Sequence, residues 1–251
     1  MRIAYLTRPA LTEALKRTQT AIVPTGSTEV MGTHGPLGAD TLVADRAGAD
    51  IARTAGALVA PTIPYGDALE LRHWPGTVTV DTETLRRLYG DVADSLLRAG
   101  FQRVFYLNVH SLNGAAVDRC CRSLRARGVP AASAAFWPVA AAEATGRNNA
   151  NDAKGLTTVS EFASAHGGEI ATSVLLWLRD AEKWPAGSVD LEAATNERPK
   201  TGSEKYFANL PGGPGAFSLY GDFTDYCESG SWGNVSGASA AAGKEIYRRA
   251  V

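Results

Sequence analysis

Cysteine and histidine are both scarce: the 251-residue sequence holds three cysteines, Cys120, Cys121 and Cys227, and four histidines. An odd thiol count without framework spacing argues against a disulfide-stapled secreted domain and for reduced thiols in a cytoplasm. Cys120 and Cys121 are adjacent rather than spaced C-x-x-C, and read as small helix-packing residues. No apolar run reaches the roughly 18 residues that a membrane span needs. The opening Met1 to Arg8 lacks the apolar core of a signal peptide. An excess of either charge is also missing, with 25 Lys+Arg against 26 Asp+Glu. Neither nucleic acid nor an anionic membrane is therefore an expected partner. There are no repeats at solenoid periods. Ser27 and Ser111 sit in no G-x-S-x-G, which argues against a serine hydrolase. Thr25-Gly26-Ser27 is followed by no lysine, so the phosphate-loop reading fails.

What is present is an ordinary globular composition, 45% hydrophobic and 20% charged. The length suits one α/β domain over 1–251, with no convincing linker. Strand and helix signals alternate. Thr20 to Pro24 reads as a short buried strand ending in turn residues, and Thr41 to Ala55 as a helix with Asp40 as its candidate N-cap. Ala57 to Ala60 is a second apolar run, and Thr77 to Val80 a short β-branched strand. Asp81 is placed to cap a helix in which Leu85, Leu88, Tyr89, Val92, Leu96 and Leu97 recur at helical spacing until Gly100. Val104 to Leu107 is a buried strand, Asn113 to Arg127 a helix, and Pro130 to Phe136 a strand of small residues. Ala140 to Thr157 reads as a long surface loop, Ile170 to Asp180 and Ala238 to Arg249 as helices, and Pro185 to Gly215 as weakly patterned. The rhythm predicts a three-layer α/β/α fold around a mostly parallel sheet.

The four histidines, His34, His73, His110 and His166, lie beside Gly, Pro or strand ends rather than in helix stripes. Ligand sites of open α/β sheets gather at the carboxyl ends of strands. The loop Pro24 to Asp40 follows a strand and carries Glu29, His34 and Asp40. Carboxylate and imidazole together suit Zn²⁺, Mn²⁺ or Fe²⁺. On this segment alone, a solvated Glu29 and an Asp40 that only caps the next helix fit equally well. A second cluster, Leu107 to Gly114, puts His110 at a strand-to-helix turn with Asn113 placed to cap the helix, and a third, Ala165 to Ser173, holds His166 and Glu169. Trp177, at helical spacing, reads as core; Trp74 and Trp232, flanked by turn residues, are candidates for a pocket wall.

These ordered motifs resemble the creatininase (creatinine amidohydrolase) family. Its first motif, approximately P-x-G-S-x-E-x-H-G-x-H-x-P-x-x-x-D, is matched in register by Pro24, Gly26, Ser27, Glu29, Gly32, His34, Pro36 and Asp40. Its N-G-H-G-G-N segment is echoed by Asn108, His110 and Asn113. Its H-A-G-E-x-E-T-S segment is echoed by His166, Gly168, Glu169, Thr172 and Ser173, and an H-x-x-x-P-G-T element by His73 to Thr77. The likeness runs from the opening segment to Gly230–Lys244. It implies Glu29, Asp40 and His110 as metal ligands, with Asp40 at the position that bridges two ions. It implies Glu169 as an acid completing the site and His166 as proton donor or substrate partner. His34, His73, Met31, Ser111, Trp74 and Trp232 are then expected against the substrate.

Three positions depart from the family pattern. Met31 stands where the family has a second histidine ligand, Leu112 where creatininase proper has a glutamate, and Ala171 where a glutamate precedes Thr172. A thioether is a poor ligand for hard or borderline divalent ions. The expectation is one occupied site for Zn or Mn, with Fe as a third choice, and a weaker second one held by Asp40, Glu169 and water. The resemblance implies hydrolysis of a non-peptide or cyclic amide of a small molecule, or amide formation by the same geometry, and a homo-oligomer, often a hexamer. Creatinine itself is disfavoured by the three departures. A non-catalytic descendant that binds a ligand or partner is the alternative, which Met31 and Leu112 favour and the retained ligands oppose.

Overall fold

The computed structural model describes residues 1–146, 163–198, 200 and 222–251. Among the described residues, four strands form one sheet in which every pairing is parallel: β1 (Thr20–Thr25), β2 (Leu58–Val59), β3 (Arg103–Asn108) and β4 (Ala131–Ala135), in the order β2-β1-β3-β4. Successive strand side chains point to opposite faces, so a strand covered on both sides must be apolar throughout. Ile22 and Leu107 join one apolar cluster, whereas Val23, Val104 and Tyr106 join another. The first cluster is completed by α2 (Ala39–Thr54), α5 (Phe136–Thr145), α6 (Glu169–Glu182) and α7 (Ala240–Ala250), the second by α3 (Thr82–Arg98) and α4 (Gly114–Ala126). This is the three-layer α/β/α arrangement. A short α1 (Arg8–Leu15), capped by Thr7, packs over a small third cluster of Ala14, Ala21, Leu58 and Phe101.

Several local expectations are corrected. Asp40 does not cap α2: the N-cap is Gly38, and Asp40 lies inside the first turn. Asn113 does occupy the N-cap position of α4, but its side chain makes no capping bond. Thr77–Val80 forms only isolated bridges, Thr28 to Val78 and Gly66 to Thr79. Ala140 to Thr145 continues α5, and Gly146 ends it in the left-handed region; the rest of the expected loop, 147–157, lies outside the described residues. So do residue 199 and residues 201–215 of the weakly patterned stretch. Leu88, expected in the buried stripe of α3, is exposed. Asp81 does cap α3, accepting from the N–H groups of Glu83 and Thr84.

Topology places the site. After β1 the chain moves to β2 through α2 on one face, and after β3 it moves outward to β4 through α4 on the opposite face. The loops leaving β1 and β3 therefore part company at the carboxyl end of two adjacent strands, where Thr25 pairs with Asn108. Such a switch point leaves a crevice that no connection fills. No helix among the described residues is long and apolar enough to cross a membrane.

Candidate metal centre

Glu29 comes from the loop after β1, Asp40 from the first turn of α2, and His110 from the turn after β3. Their ligand atoms all lie within 4.8 Å of one another, and all three side chains are buried. His110 Nδ1 is 3.0 Å from Glu29 Oε2 and 3.1 Å from Asp40 Oδ2. Its Nε2 is 2.7 Å from the Asp67 carbonyl oxygen. A carbonyl can only accept, so Nε2 carries a proton, and Nδ1 faces the two carboxylates as a site for either a second proton or a metal ion. The other oxygen of Asp40, Oδ1, accepts from Trp137 Nε1 at 2.8 Å. Glu29 Oε2 is buried, with His110 Nδ1 as its polar neighbour.

Electrostatics follow from that geometry. Burial pulls the His110 pKa down, but the Glu29 charge and the bonds to both carboxylates raise it well above its ordinary value. Burial pushes the Glu29 carboxyl up, and the charge and hydrogen bond of His110, joined by His166 and Ser27, together offset it and leave Glu29 below its ordinary value. Asp40 ends above its ordinary value, raised by burial and by the Glu29 charge against the pull of His110. Two buried carboxylates thus share one cation at Nδ1. Either a proton or a metal ion answers that demand. One nitrogen and two carboxylate oxygens suit Zn²⁺ or Mn²⁺, and Glu29 Oε2 and Asp40 Oδ2 both face the His110 Nδ1 that would join them as a ligand. The residues present fit a divalent cation.

The remaining candidates divide around this group. His166 borders it: Nε2 donates to the Val30 carbonyl at 2.8 Å, and Nδ1 stands 3.9 Å from Glu29 Oε1. Phe223 meets the His166 ring edge-on at 5.1 Å, and Trp232 lies 6.5 Å away in a buried aromatic group with Tyr226 and Phe223. Trp74 joins the same group through Phe223 and donates Nε1 to the Glu228 carbonyl. Glu169 is the first residue of α6, buried beside Gly237, and does not enter the three-residue group. His34 is buried behind the site, with Nε2 at 3.0 Å from the Gly167 carbonyl and 3.1 Å from Thr172 Oγ1. Burial keeps its pKa low, so it is a neutral fastener of this loop to α6. His73 is exposed and pairs with Asp222 at 3.0 Å. Met31 is buried in the larger apolar cluster, Ser111 is exposed in the turn before α4, and Leu112 is half-buried there.

Sequence reasoning missed Asp67 and Phe223, and weighed Trp137 only as one of five tryptophans that could line a pocket, not as a partner of Asp40. Asp67 acts through its main-chain carbonyl, which no side-chain motif can announce. Trp137 and Phe223 reach the site from segments far along the chain, and only their aromatic character marked them.

A family model described as creatinine amidohydrolase matches residues 4–251. A Mycobacterium tuberculosis (strain CDC 1551 / Oshkosh) protein described as mycofactocin precursor peptide peptidase is 31% identical over 188 residues, covering 66% of this chain and 63% of that protein. The match thus spans less than two thirds of that relative's length. A Pseudomonas putida creatinine amidohydrolase is 30% identical over 117 residues, 43% of this chain and 45% of that one. The solved structure described as creatininase Mn superposes with a TM-score of 0.73 at 22% identity, covering 99% of this chain and 93% of that one. Likeness at that identity speaks for the fold.

Proposed function

Since the chain belongs to the creatininase family, we propose that it is a metal-dependent amidohydrolase working at Glu29, Asp40 and His110. The observation that carries this reading is the convergence of three buried donors on one point, with His110 Nε2 already committed to the Asp67 carbonyl. Metal-bound histidines characteristically give their second N–H to such an acceptor. A divalent cation held there supplies Lewis acidity, making water nucleophilic near neutral pH and polarising an amide carbonyl.

The chain's own residues supply the rest. Glu29 and Asp40 bring the negative charge that holds the ion, and Trp137 orients Asp40 by engaging Oδ1 so that Oδ2 faces His110. His166 presents Nδ1 toward Glu29, because Nε2–H is spent on Val30. Nδ1 is therefore the atom that takes up a proton and passes it to the leaving nitrogen. Three donors leave room for water and substrate, as catalytic centres require. Glu169 is assigned an acid–base role beside them rather than a place in the donor set. The ion is Zn²⁺ or Mn²⁺, and it is single, because Met31 and Leu112 offer a second one no donor. The same residues serve amide formation when an amine replaces water as nucleophile.

The substrate in this reading is a non-peptide or cyclic amide of a small molecule, and the chain works as a cytoplasmic homo-oligomer. A second reading, cleavage of a peptide bond, is favoured by the 188-residue match to a protein described as a peptidase. The test is turnover by Zn²⁺- and Mn²⁺-loaded protein of lactams, linear amides and short peptides, read by mass spectrometry. Cleavage of lactams or linear amides supports the first reading, and cleavage confined to peptides the second. A protein that takes up neither metal from buffer sinks both and leaves a non-catalytic binder.

A further inference from the structure

The carbonyl that orders His110 belongs to Asp67, and every polar group of Asp67 is held. Its N–H donates to Asn113 Oδ1 at 2.9 Å, its Oδ1 accepts from the Leu69 N–H at 3.4 Å, and its Oδ2 accepts from the Thr82 hydroxyl. Asn113 is fully buried and spends its other end on the Gly26 carbonyl, Nδ2 donating at 3.0 Å. An asparagine at a helix N-cap ordinarily accepts from the helix's own first N–H groups. Asn113 sits there and caps nothing. Its side chain instead joins the loops that follow β1, β2 and β3. Gly66 shows how tightly they meet: a Cβ there would come within 2.6 Å of Asn113 Oδ1 and 3.0 Å of His110 Cδ2.

We infer that Asn113 is a positioning residue for the metal centre, which holds the Asp67 peptide so that its carbonyl fixes the His110 proton on Nε2 and the lone pair on Nδ1. This rests on the reading of Glu29, Asp40 and His110 as metal ligands. An imidazole left to itself exchanges its proton between two nitrogens and turns about its ring bond. Either motion would take the Nδ1 lone pair away from Glu29 and Asp40. A peptide carbonyl does not titrate, so the orientation it imposes holds across the working pH range. It also adds no charge to a centre that already has two carboxylates. Asn113, neutral and able to donate and accept at once, suits that task where an aspartate would not.

The test compares zinc affinity of the full chain with that of Asn113→Ala, by competition with a chelating dye. The metal-free melting temperature and exchange of the His110 Nε2–H in ¹⁵N-labelled, zinc-loaded protein are followed in parallel. Loss of an outer-shell partner predicts zinc binding about 10- to 100-fold weaker, with the Nε2–H losing its protection from exchange. A purely structural asparagine would lower the melting temperature and leave both metal readouts where they were; that result overturns the inference. Should Asn113→Ala fail to fold, Thr82→Val loosens Asp67 from a half-buried site. It is expected to weaken zinc by about threefold or more on the same principle, and unchanged affinity there also counts against the inference. Wild-type protein that takes up no zinc removes the metal centre itself, whereas wild-type uptake with an indifferent Asn113→Ala removes only the role of Asn113.

Discussion

Replacing Glu29 by glutamine separates what the cluster does for the fold from what it does for a metal. The exchange keeps shape and removes one charge. In the metal-free protein, Glu29 and Asp40 place two carboxylates against one imidazole, whose Nδ1 lies 3.0 and 3.1 Å from them. Removing one partner of a buried ion pair ordinarily costs about 3–5 kcal/mol, because a charge is left uncompensated. Here the removal leaves Asp40 and His110 balanced. It also relieves the repulsion by which the Glu29 charge raises the Asp40 pKa. Metal-free Glu29→Gln should therefore melt at or above the wild-type temperature.

Metal reverses the ranking. Free metal at 100 times its dissociation constant stabilises a binding protein by about 2.7 kcal/mol. At roughly 2–4 °C per kcal/mol for a chain of this size, the wild-type melting temperature should rise by about 5–11 °C. If loss of the Glu29 charge weakens binding by about 100-fold, the same metal concentration stabilises Glu29→Gln by only about 0.4 kcal/mol, or about 1 °C. Differential scanning calorimetry with and without zinc measures all four states. Two results would refute the reasoning: a metal-free variant that melts about 6–20 °C below wild type, as a broken buried pair would, or a variant that keeps the full zinc-induced rise.

Other consequences are as direct. Metal must displace the proton from His110 Nδ1, whose pKa the two carboxylates raise well above its ordinary value. Affinity should then rise about tenfold per pH unit through the neutral range, which zinc titrations at fixed ionic strength would check. The protonation linkage of His110 has the opposite sign for the metal-free fold. Because its folded pKa is raised, its contribution is complete below about pH 6.5 and is lost as pH climbs through the folded value. Metal-free melting temperatures followed from neutral to alkaline pH should fall accordingly. Gly243 lets α7 lie against α6 so closely that a Cβ would fall 1.8 Å from the Ser173 carbonyl oxygen. Gly243→Ala should cost about 3 kcal/mol or more, read by denaturant unfolding. His73 pairs with Asp222 at the surface, so His73→Ala should leave zinc affinity unchanged.

The layered fold was legible because strands buried on both faces and helices with one apolar face leave different periodicities. The stripe of α3 and its Asp81 cap show this directly. The motif around Glu29, Asp40 and His110 was legible for a related reason: their side chains are the chemistry. What stayed hidden acts at a distance or through the backbone. Asn113 sits at a cap position and Asp40 in the first turn of its helix, and both are turned by tertiary partners, Asn113 by Gly26 and Asp67, Asp40 by His110 and Trp137. Local propensity cannot foresee that exchange. Thr77–Val80 has strand composition but too little chain beside it to form a ladder, so it contributes bridges alone. His34 and His73 look equivalent in sequence and differ only in burial, one sealed behind the site and the other in solvent.

Met31 gives the sharpest test of a single-ion centre, because it stands where the family pattern has a histidine. Restoring that histidine looks like a route to a second ion, yet the structure argues against it. Met31 is 2% exposed and belongs to the apolar cluster that contains Val43, Phe136 and Ile170. An imidazole placed there must find polar partners among hydrocarbon, and an unmet one costs about 1–3 kcal/mol. Leu112 and Ala171, the other departed positions, still offer no carboxylate. Met31→His should therefore lower the metal-free melting temperature by about 2–12 °C on the same scale and bind no more zinc per chain than wild type. Elemental analysis after dialysis against zinc decides it. A second ion gained by Met31→His alone would mean that the subsite survives in the scaffold.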